Sequence, residues 1–465
     1  SAEEKYTAIR QAEKKEYYPL SIAQQRIFLS QQLDLVSTLY NIHDVVPLER
    51  DIRKEKLEDA FKKIIARHEA LRTSFHIIDG KVVQRVSEVE KIDFDMENEE
   101  EILSGPRTNT MEKIMERFVR PFDLGRAPLI RAALVKTADQ SCVLLYDLHH
   151  TITDLTSGNI LIAEFMSGDQ ETPPLKLHYK DFSEWQNRKE QRERIRRQEE
   201  YWLKLFSGGI PTLDLPLDFE RPPEQSFQGD GVAAVLNESE SRALKELARQ
   251  GDATVHMVSL ALLSILLSKL TGQEDIIIGV PNEGRRHADL ERIIGVFINT
   301  QLTRSFPQRQ KSWPEFLGEV KQQVLEAFEN QDCQFEELLD KISVKRDIGR
   351  NSLVDVALNY LNQSRKAGRK SPGGEDNGYE FKKGTTTFDL VLTVIDYGEQ
   401  IRLYVIYNSR LYREETIRRY IAYIKEIIKT LDQKPGIRLK EIVITHELVE
   451  GKAVSNEEDY TGFDF

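Results

Sequence analysis

The chain has 465 residues, more than one ordinary domain holds and suited to two or three, so it can bury a sizeable core. Acidic residues outnumber basic ones 77 to 65, a net charge of −12, which argues against a nucleic-acid binder with its basic balance or stripe. The aromatic content and many short apolar runs are those of a globular protein. The two cysteines, Cys142 and Cys333, lie far apart and outside any C-x-x-C, which speaks against a disulfide framework or zinc ribbon and fits a reducing cytosol.

The start, "SAEEKYTAIRQAEKKEYYPLS", is charged and polar and reads as neither signal peptide nor anchor. "LEDAFKKIIARHEAL" sets Leu57, Phe61, Ile64, Ile65, His68 and Leu71 on one helical face. "RTSFHI" and "KVVQRV" read as strands joined by an Asp79-Gly80 turn. "SCVLLYDLHH" is a strand and "SGNILIAEF" has helix character, so the stretch between them lies at a strand end leading into a helix N-terminus. Such junctions suit catalysis, because rigid elements aim side chains and free helix N–H groups can meet negative charge. Next comes a charged helix over Glu184–Phe206, its charges a solvated face, and then a Pro/Gly-punctuated crossover, Ser207–Ser226.

Order resumes with a helix over Ser241–Gln250, a buried helix near Val255–Leu270 and the strand Asp275–Pro281. The apolar stretch Val258–Leu270 is shorter than the roughly 20 residues a bilayer span needs and suits a core helix, so a soluble, cytoplasmic protein is expected. A loop over Ser364–Glu380 is long enough to be functional, and the chain closes on an acidic tail, "NEEDYTGFDF". The charged start and this tail suggest a domain excised from a longer chain. The expected plan is two α/β lobes: residues 1–183 with the histidine motif, a helix and crossover linker over 184–226, a C-terminal lobe over 227–450, and the tail at 451–465.

Two near-motifs carry no chemistry. "GVPNEGRR" has the glycine spacing of a phosphate loop but Arg-Arg in place of Lys-Ser/Thr, and "GDGVAA" precedes a strand where a dinucleotide fingerprint would open a helix. Neither G-x-S-x-G nor H-E-x-x-H occurs. "DLHHTITDLTSG" (147–158) is different. Adjacent strand residues point to opposite faces, so His149 and His150 make a poor metal pair and no metal is expected. Two readings remain for them: core histidines bonded to backbone, or one ring facing a cleft as base or amine-positioner above a turn shaped by Asp154. Asp154 could also simply cap the next helix, as could Thr156 or Ser157, and if buried it needs an arginine.

Six stretches occur in series: "YYPLSIAQQRIFLSQQ" (17–32), "RHEALRTSF" (67–75), "HHTITD" (149–154), "YKDFSEWQ" (179–186), "GVFINT" (295–300) and "QDCQFEELLDKI" (331–342). Together they closely resemble the condensation domains of nonribosomal peptide synthetases, from about Tyr17 to about Leu448. The resemblance implies two lobes, each folded like chloramphenicol acetyltransferase and set in a V around a tunnel. It implies a donor and an acceptor peptidyl carrier protein, each presenting its substrate on a phosphopantetheine arm. The domain itself would bind no cofactor, and its neighbours would be assembly-line domains such as adenylation or ketosynthase, with no nucleic acid or membrane. The acceptor amine would attack the donor thioester. His150 would face the reaction centre, His149 would point into the fold, and Asp154 would pair with Arg285, or second with Arg67. Leu155, Ser157 and Asn299 are candidates for the substrate channel.

The stretches "RHEALRTSF" and "SIAQQRIF" look more like domains taking an L-configured donor than like epimerisation domains. Heterocyclisation domains carry aspartate where His149 stands. Leu155 occupies a position the family usually gives to glycine, which motivates an alternative: a carrier-docking module that kept the fold and lost the chemistry.

Overall fold

The computed structural model describes residues 8–48, 53–97, 111–136, 142–168, 173–334, 338, 341–342, 349–350, 354–363 and 384–444. They gather into two units, each around its own apolar core. The chain is therefore a two-lobed α/β protein, as the periodicities suggest.

The first unit takes the described residues up to Arg196 and, from much later in the chain, Glu283–Ile298. Its elements are β1 (Tyr18–Pro19), α1 (Ile22–Leu33), β2 (Asn41–Leu48), α2 (Lys54–Arg67), β3 (Thr73–Ile78), β4 (Lys81–Val86), α3 (Met111–Phe118), β5 (Ile130–Lys136), β6 (Cys142–His149), α4 (Leu155–Ser167) and α5 (Tyr179–Gln186), followed by α6 (Lys189–Leu205), whose later turns belong to the second unit. Two antiparallel sheets form, in the orders β1-β4-β3 and β2-β6-β5. The β3–β4 hairpin turns at Asp79-Gly80, both at positive φ (50° and 73°), the backbone that a two-residue Asp-Gly loop favours. Helix α2 buries Leu57, Phe61, Ile64 and Ile65 and stops at Arg67, and a short 3-10 turn (Glu69–Arg72) carries its apolar stripe on through Leu71.

Strand β6 is buried along its whole length because both its faces are covered. Leu144, Tyr146 and Leu148 enter the main core, whereas Val143 and Leu145 pack with Ile114 and Phe118 of α3. By the same alternation Asp147 and His149 share the second face.

The expected single helix over Glu184–Phe206 is two. It breaks at Asn187, whose side-chain amide donates to the carbonyls of Leu20 and Ser183, both at 2.8 Å, a competition with helical bonding that asparagine makes easily.

The second unit takes Arg197–Asn282 and the described residues from Asn299 onward. After α6 come β7 (Gln228–Leu236), α7 (Glu238–Gln250), α8 (Val255–Thr271), β8 (Ile276–Asn282), β9 (Asn299–Ser305), α9 (Trp313–Glu329), β10 (Val356–Asn362), β11 (Gly384–Thr385), β12 (Leu390–Asp396), β13 (Ile401–Asn408) and α10 (Glu414–Gln433). They build one mixed sheet, β11-β7-β13-β12-β10-β8-β9, with β10 parallel to both its neighbours. Helix α8 is buried through Met257–Leu267, as its apolar run requires. The "GDGVAA" stretch lies within β7.

Two expected boundaries shift. The crossover Ser207–Ser226 is packed onto the second unit: Leu213 and Leu215 join its core, and Arg221 forms a two-pronged ion pair with Asp389. The C-terminal half is also not continuous, because Leu290, Ile293, Ile294, Val296 and Phe297 are buried in the core of the first unit. The loop expected at Ser364–Glu380 and the tail at 451–465 lie outside the described residues, as does part of the 331–342 stretch. Among the described residues no single helix is long and apolar enough to cross a membrane.

Candidate active site

The histidine turn begins where β6 ends. His149, the last strand residue, is 1% exposed and packs beside the rings of Tyr40 and Phe122. Its Nδ1 lies 2.8 Å from Thr151 Oγ1 and its Nε2 lies 3.3 Å from Gln31 Oε1. Burial, with the neighbouring His150 and Arg131 adding to it, pushes its pKa down to about 3.

His150 has left the strand, is half-buried, and bonds through its backbone N–H to Tyr40 O at 2.8 Å. Its Nδ1 lies 2.7 Å from the carbonyl of Thr153. A carbonyl only accepts, so Nδ1 carries the proton and Nε2 keeps a lone pair, with no hydrogen-bond partner among the described residues. Burial drives the pKa of His150 below the ordinary histidine value, overriding the Thr153 carbonyl and Asp154, which both act to raise it. A neutral ring with a bare Nε2 is an acceptor suited to an amine proton.

Asp154 is the N-cap of α4 and is 3% exposed. One carboxylate oxygen accepts from Ser157 N–H at 2.7 Å and from Arg285 Nη2 at 3.3 Å, and the other accepts from Phe297 N–H at 2.9 Å. Capping and burial beside arginine, considered as alternatives from sequence, are thus one arrangement. The N-terminal helix dipole adds to it. Arg285 is the partner. Its other donors reach the carbonyls of Leu290 and Ile293 and the hydroxyl of Ser157, and its guanidinium stacks on Phe297 at 4.2 Å. Arg67, the second candidate, lies elsewhere and pairs with Glu164 of α4 at 3.2 Å.

Ser157 and Asn299 do not fit the channel role expected for them. Ser157 is 0% exposed, and its hydroxyl donates to Gly295 O at 2.7 Å and accepts from Gly295 N–H at 3.0 Å. Asn299, in the second unit, is buried and donates to the carbonyls of Gln331 and Cys333 at 2.8 and 2.9 Å. Both residues brace backbone. Leu155 is the first residue of α4 and is 49% exposed. It is not among the positive-φ residues, so the glycine usual in the family is not needed here for backbone reasons.

Several residues of the cluster went unread in the sequence because they act through backbone or across elements. Tyr179 bonds Ser21 Oγ at 2.7 Å and Val296 O at 2.5 Å, and a Cβ on Gly295 would stand 1.8 Å from the Tyr179 ring. His68 bonds Glu164 at 2.9 Å, while Glu69 pairs with Lys180. Asp147 lies buried on β6 between Asn41 Nδ2 (2.9 Å) and Arg131 Nη1 (3.0 Å), and burial raises its pKa to about 7 against the pull of Arg131. The signal available was that Ser21, His68, Glu69, Tyr179, Lys180 and Gly295 sit inside the six stretches and Asp147 just before one of them. Among the described residues no group of three or more His, Cys, Asp and Glu side chains is gathered as metal ligands would be.

A neutral histidine on a strand-to-helix turn, braced by a buried aspartate–arginine pair in a two-lobed α/β chain, defines the class. The profile described as "Condensation domain" matches residues 14–451, and the chain belongs to that family. Its relatives are nonribosomal peptide synthetases. It is 38% identical over 96% of its length to gramicidin S synthase 2 of Brevibacillus brevis, 39% over 99% to tyrocidine synthase 3 of Brevibacillus parabrevis, and 39% over 95% to surfactin synthase subunit 2 of Bacillus subtilis. The chain spans only 10%, 7% and 12% of those proteins.

Solved structures share the fold at low identity. The teicoplanin X-domain in complex with OxyB superposes with a TM-score of 0.79 at 22% identity, covering 94% of this chain and 98% of that one. The four-domain nonribosomal peptide synthetase holo-AB3403 also gives 0.79, at 18% identity, covering 94% of this chain and 34% of that one.

Proposed function

We propose that the chain joins a donor acyl or peptidyl thioester to an acceptor aminoacyl thioester, both carried on phosphopantetheine arms of peptidyl carrier domains. The acceptor nitrogen attacks the donor carbonyl, the C–S bond breaks, and the product is an amide on the acceptor arm with a free thiol on the donor arm. The observation that carries this reading is the neutral His150, its Nδ1–H committed to Thr153 O and its Nε2 left to accept. Family membership supports it.

An α-amino group titrates near pH 7.7–8.0, so about 10–40% of it is already neutral at pH 7.0–7.5 and needs little base strength. Holding amine and thioester together supplies ~7–11 kcal/mol by itself. His150 therefore orients the amine through Nε2, takes its proton late in the attack and passes it to the leaving thiolate. Carrier and adenylation domains are the expected neighbours. The fold-sharing holo-AB3403, described as a four-domain synthetase bound to AMP and glycine, agrees with that setting.

The test is single-turnover amide formation between two loaded carriers. His150→Ala should fold as the parent does and lose at least ~10²-fold in rate. Equal rates would remove His150 from the chemistry. One feature favours a second reading as a carrier-docking module without chemistry: the half-exposed Leu155 where glycine is usual. On the catalytic reading Leu155 restricts which donor is used, so Leu155→Gly keeps the native reaction and widens acceptance of bulkier donors. A parent that binds both carriers and makes no amide with any donor would decide for docking.

A further inference from the structure

The two adjacent histidines are held in opposite tautomers. The backbone N–H of Thr151 points at His149 Nδ1 from 3.2 Å, and an N–H can only donate, so that nitrogen carries no proton. The Thr151 hydroxyl, 2.8 Å away, then donates to it as well. The proton of His149 is therefore on Nε2, where the acceptor is Gln31 Oε1 at 3.3 Å. Gln31 is buried on α1, and its amide is held the right way round because its NH2 donates to the carbonyls of Asp34 (2.8 Å) and Ser37 (3.1 Å). His150 is the reverse case, protonated on Nδ1 by the demand of the Thr153 carbonyl.

The two rings are linked by the turn between them. The His149 ring holds Thr151 N–H, the His149 carbonyl accepts from Ile152 N–H at 3.1 Å, and Gln24, one heptad before Gln31 on α1, donates to Thr151 O at 3.4 Å. The turn winds around the His149 ring and carries the Thr153 carbonyl that selects the tautomer of His150. If His149 were protonated on Nδ1, that N–H would face the N–H of Thr151. Two donors cannot pair, so the turn would have to open.

We propose that Gln31 is a positioning residue of the condensation centre: by holding His149 as the Nε2–H tautomer it fixes the turn that leaves His150 Nε2 bare. The proposal rests on the role given to His150 above, but its structural half can be measured without turnover. A chain with nine histidines, labelled with 15N-histidine, allows the two ring nitrogens of each to be read by NMR, with assignments from His149→Gln and His150→Gln.

The parent should show His149 as Nε2–H and His150 as Nδ1–H. Gln31→Met, nearly isosteric but without the acceptor, should leave both rings as tautomer mixtures. It should also lower the single-turnover rate about 10-fold with the acceptor KM unchanged. Both rings in one tautomer in the parent, or an unaltered His150 signature in Gln31→Met, overturns the proposal. A parent with the two opposite tautomers and no amide product would instead count against the proposed reaction.

Discussion

At the scale of single residues, the two histidines are both held neutral by burial and enter different pH measurements. His149 is neutral in the fold down to about pH 3, while an unfolded histidine titrates near 6.5. Between those values the unfolded chain binds the extra proton, so this stabilisation is complete above pH 6.5 and is lost as pH falls, at about 1.4 kcal/mol per unit. Urea titrations at pH 7 and 5 should therefore show parent stability falling about 2 kcal/mol more than that of His149→Gln, in which the titrating group is gone. Parallel losses would mean that the ring is accessible to protons. For His150 the downward shift keeps the ring neutral through the working range. The acid limb of the condensation rate should then follow the acceptor amine, near pH 7.7–8.0, with no second break at 6.5. An acceptor with a less basic amine should move the limb with it, and a limb that stays near 6.5 would assign it to His150.

At the scale of elements, the site is a set of helix ends tied to one returning segment. Helix α4 is capped by Asp154, anchored through Ser157 to Gly295, and held near its far end by Glu164, which meets Arg67 and His68. Helix α5 sends Tyr179 against Gly295 and Val296. Gly295 has to be glycine for space: its missing Cβ would lie 1.8 Å from a ring that is itself fully buried. Overpacking of this kind costs roughly 1–3 kcal/mol or more. Gly295→Ala should lower the melting temperature by several degrees, and combined with Tyr179→Ala it should cost less than the sum of the two single variants, since the cavity left by the ring accepts the methyl group. If the double variant is merely as unstable as the sum of the two singles, the clash is not the cause.

At the scale of the molecule, the first unit is completed by residues that follow most of the second unit's early strands and helices in the chain. Arg285 and the Phe297 N–H, both bound to Asp154, lie in Glu283–Ile298. Removing one partner of a buried ion pair typically costs 3–5 kcal/mol, while a whole domain holds only about 5–15. A fragment ending at Arg196 should therefore lack native near-UV circular dichroism and slow amide exchange. Fusing residues 283–298 to its end through a flexible linker should restore both. A fragment that folds equally well without the segment would show that its own core suffices.

Much of this protein was readable before any coordinates. Local periodicity determined α2, α8, β6 and the β3–β4 hairpin, because a helical stripe, a continuous apolar run and an Asp-Gly pair each have one cheap local solution. The six stretches in series resembled condensation domains, and the family match bears that out. The pairing of Asp154 with Arg285 was expected too, since a buried carboxylate needs a cation and the resemblance called for an arginine.

What the sequence could not determine was whatever depends on distant backbone. Ser157 and Asn299 are polar side chains beside a motif, and nothing local shows that their partners are the main chains of Gly295 and of Gln331 and Cys333. The break at Asn187 depends on the carbonyl of Leu20, 167 residues earlier in the chain. The boundary at Glu283 has no compositional mark, because apolar residues look alike whichever core they enter. Even the tautomers of His149 and His150 were settled only when folding brought Gln31, Thr151 and Thr153 around them. A ring nitrogen takes or gives up its proton according to the partner that faces it, and that partner is supplied by tertiary structure.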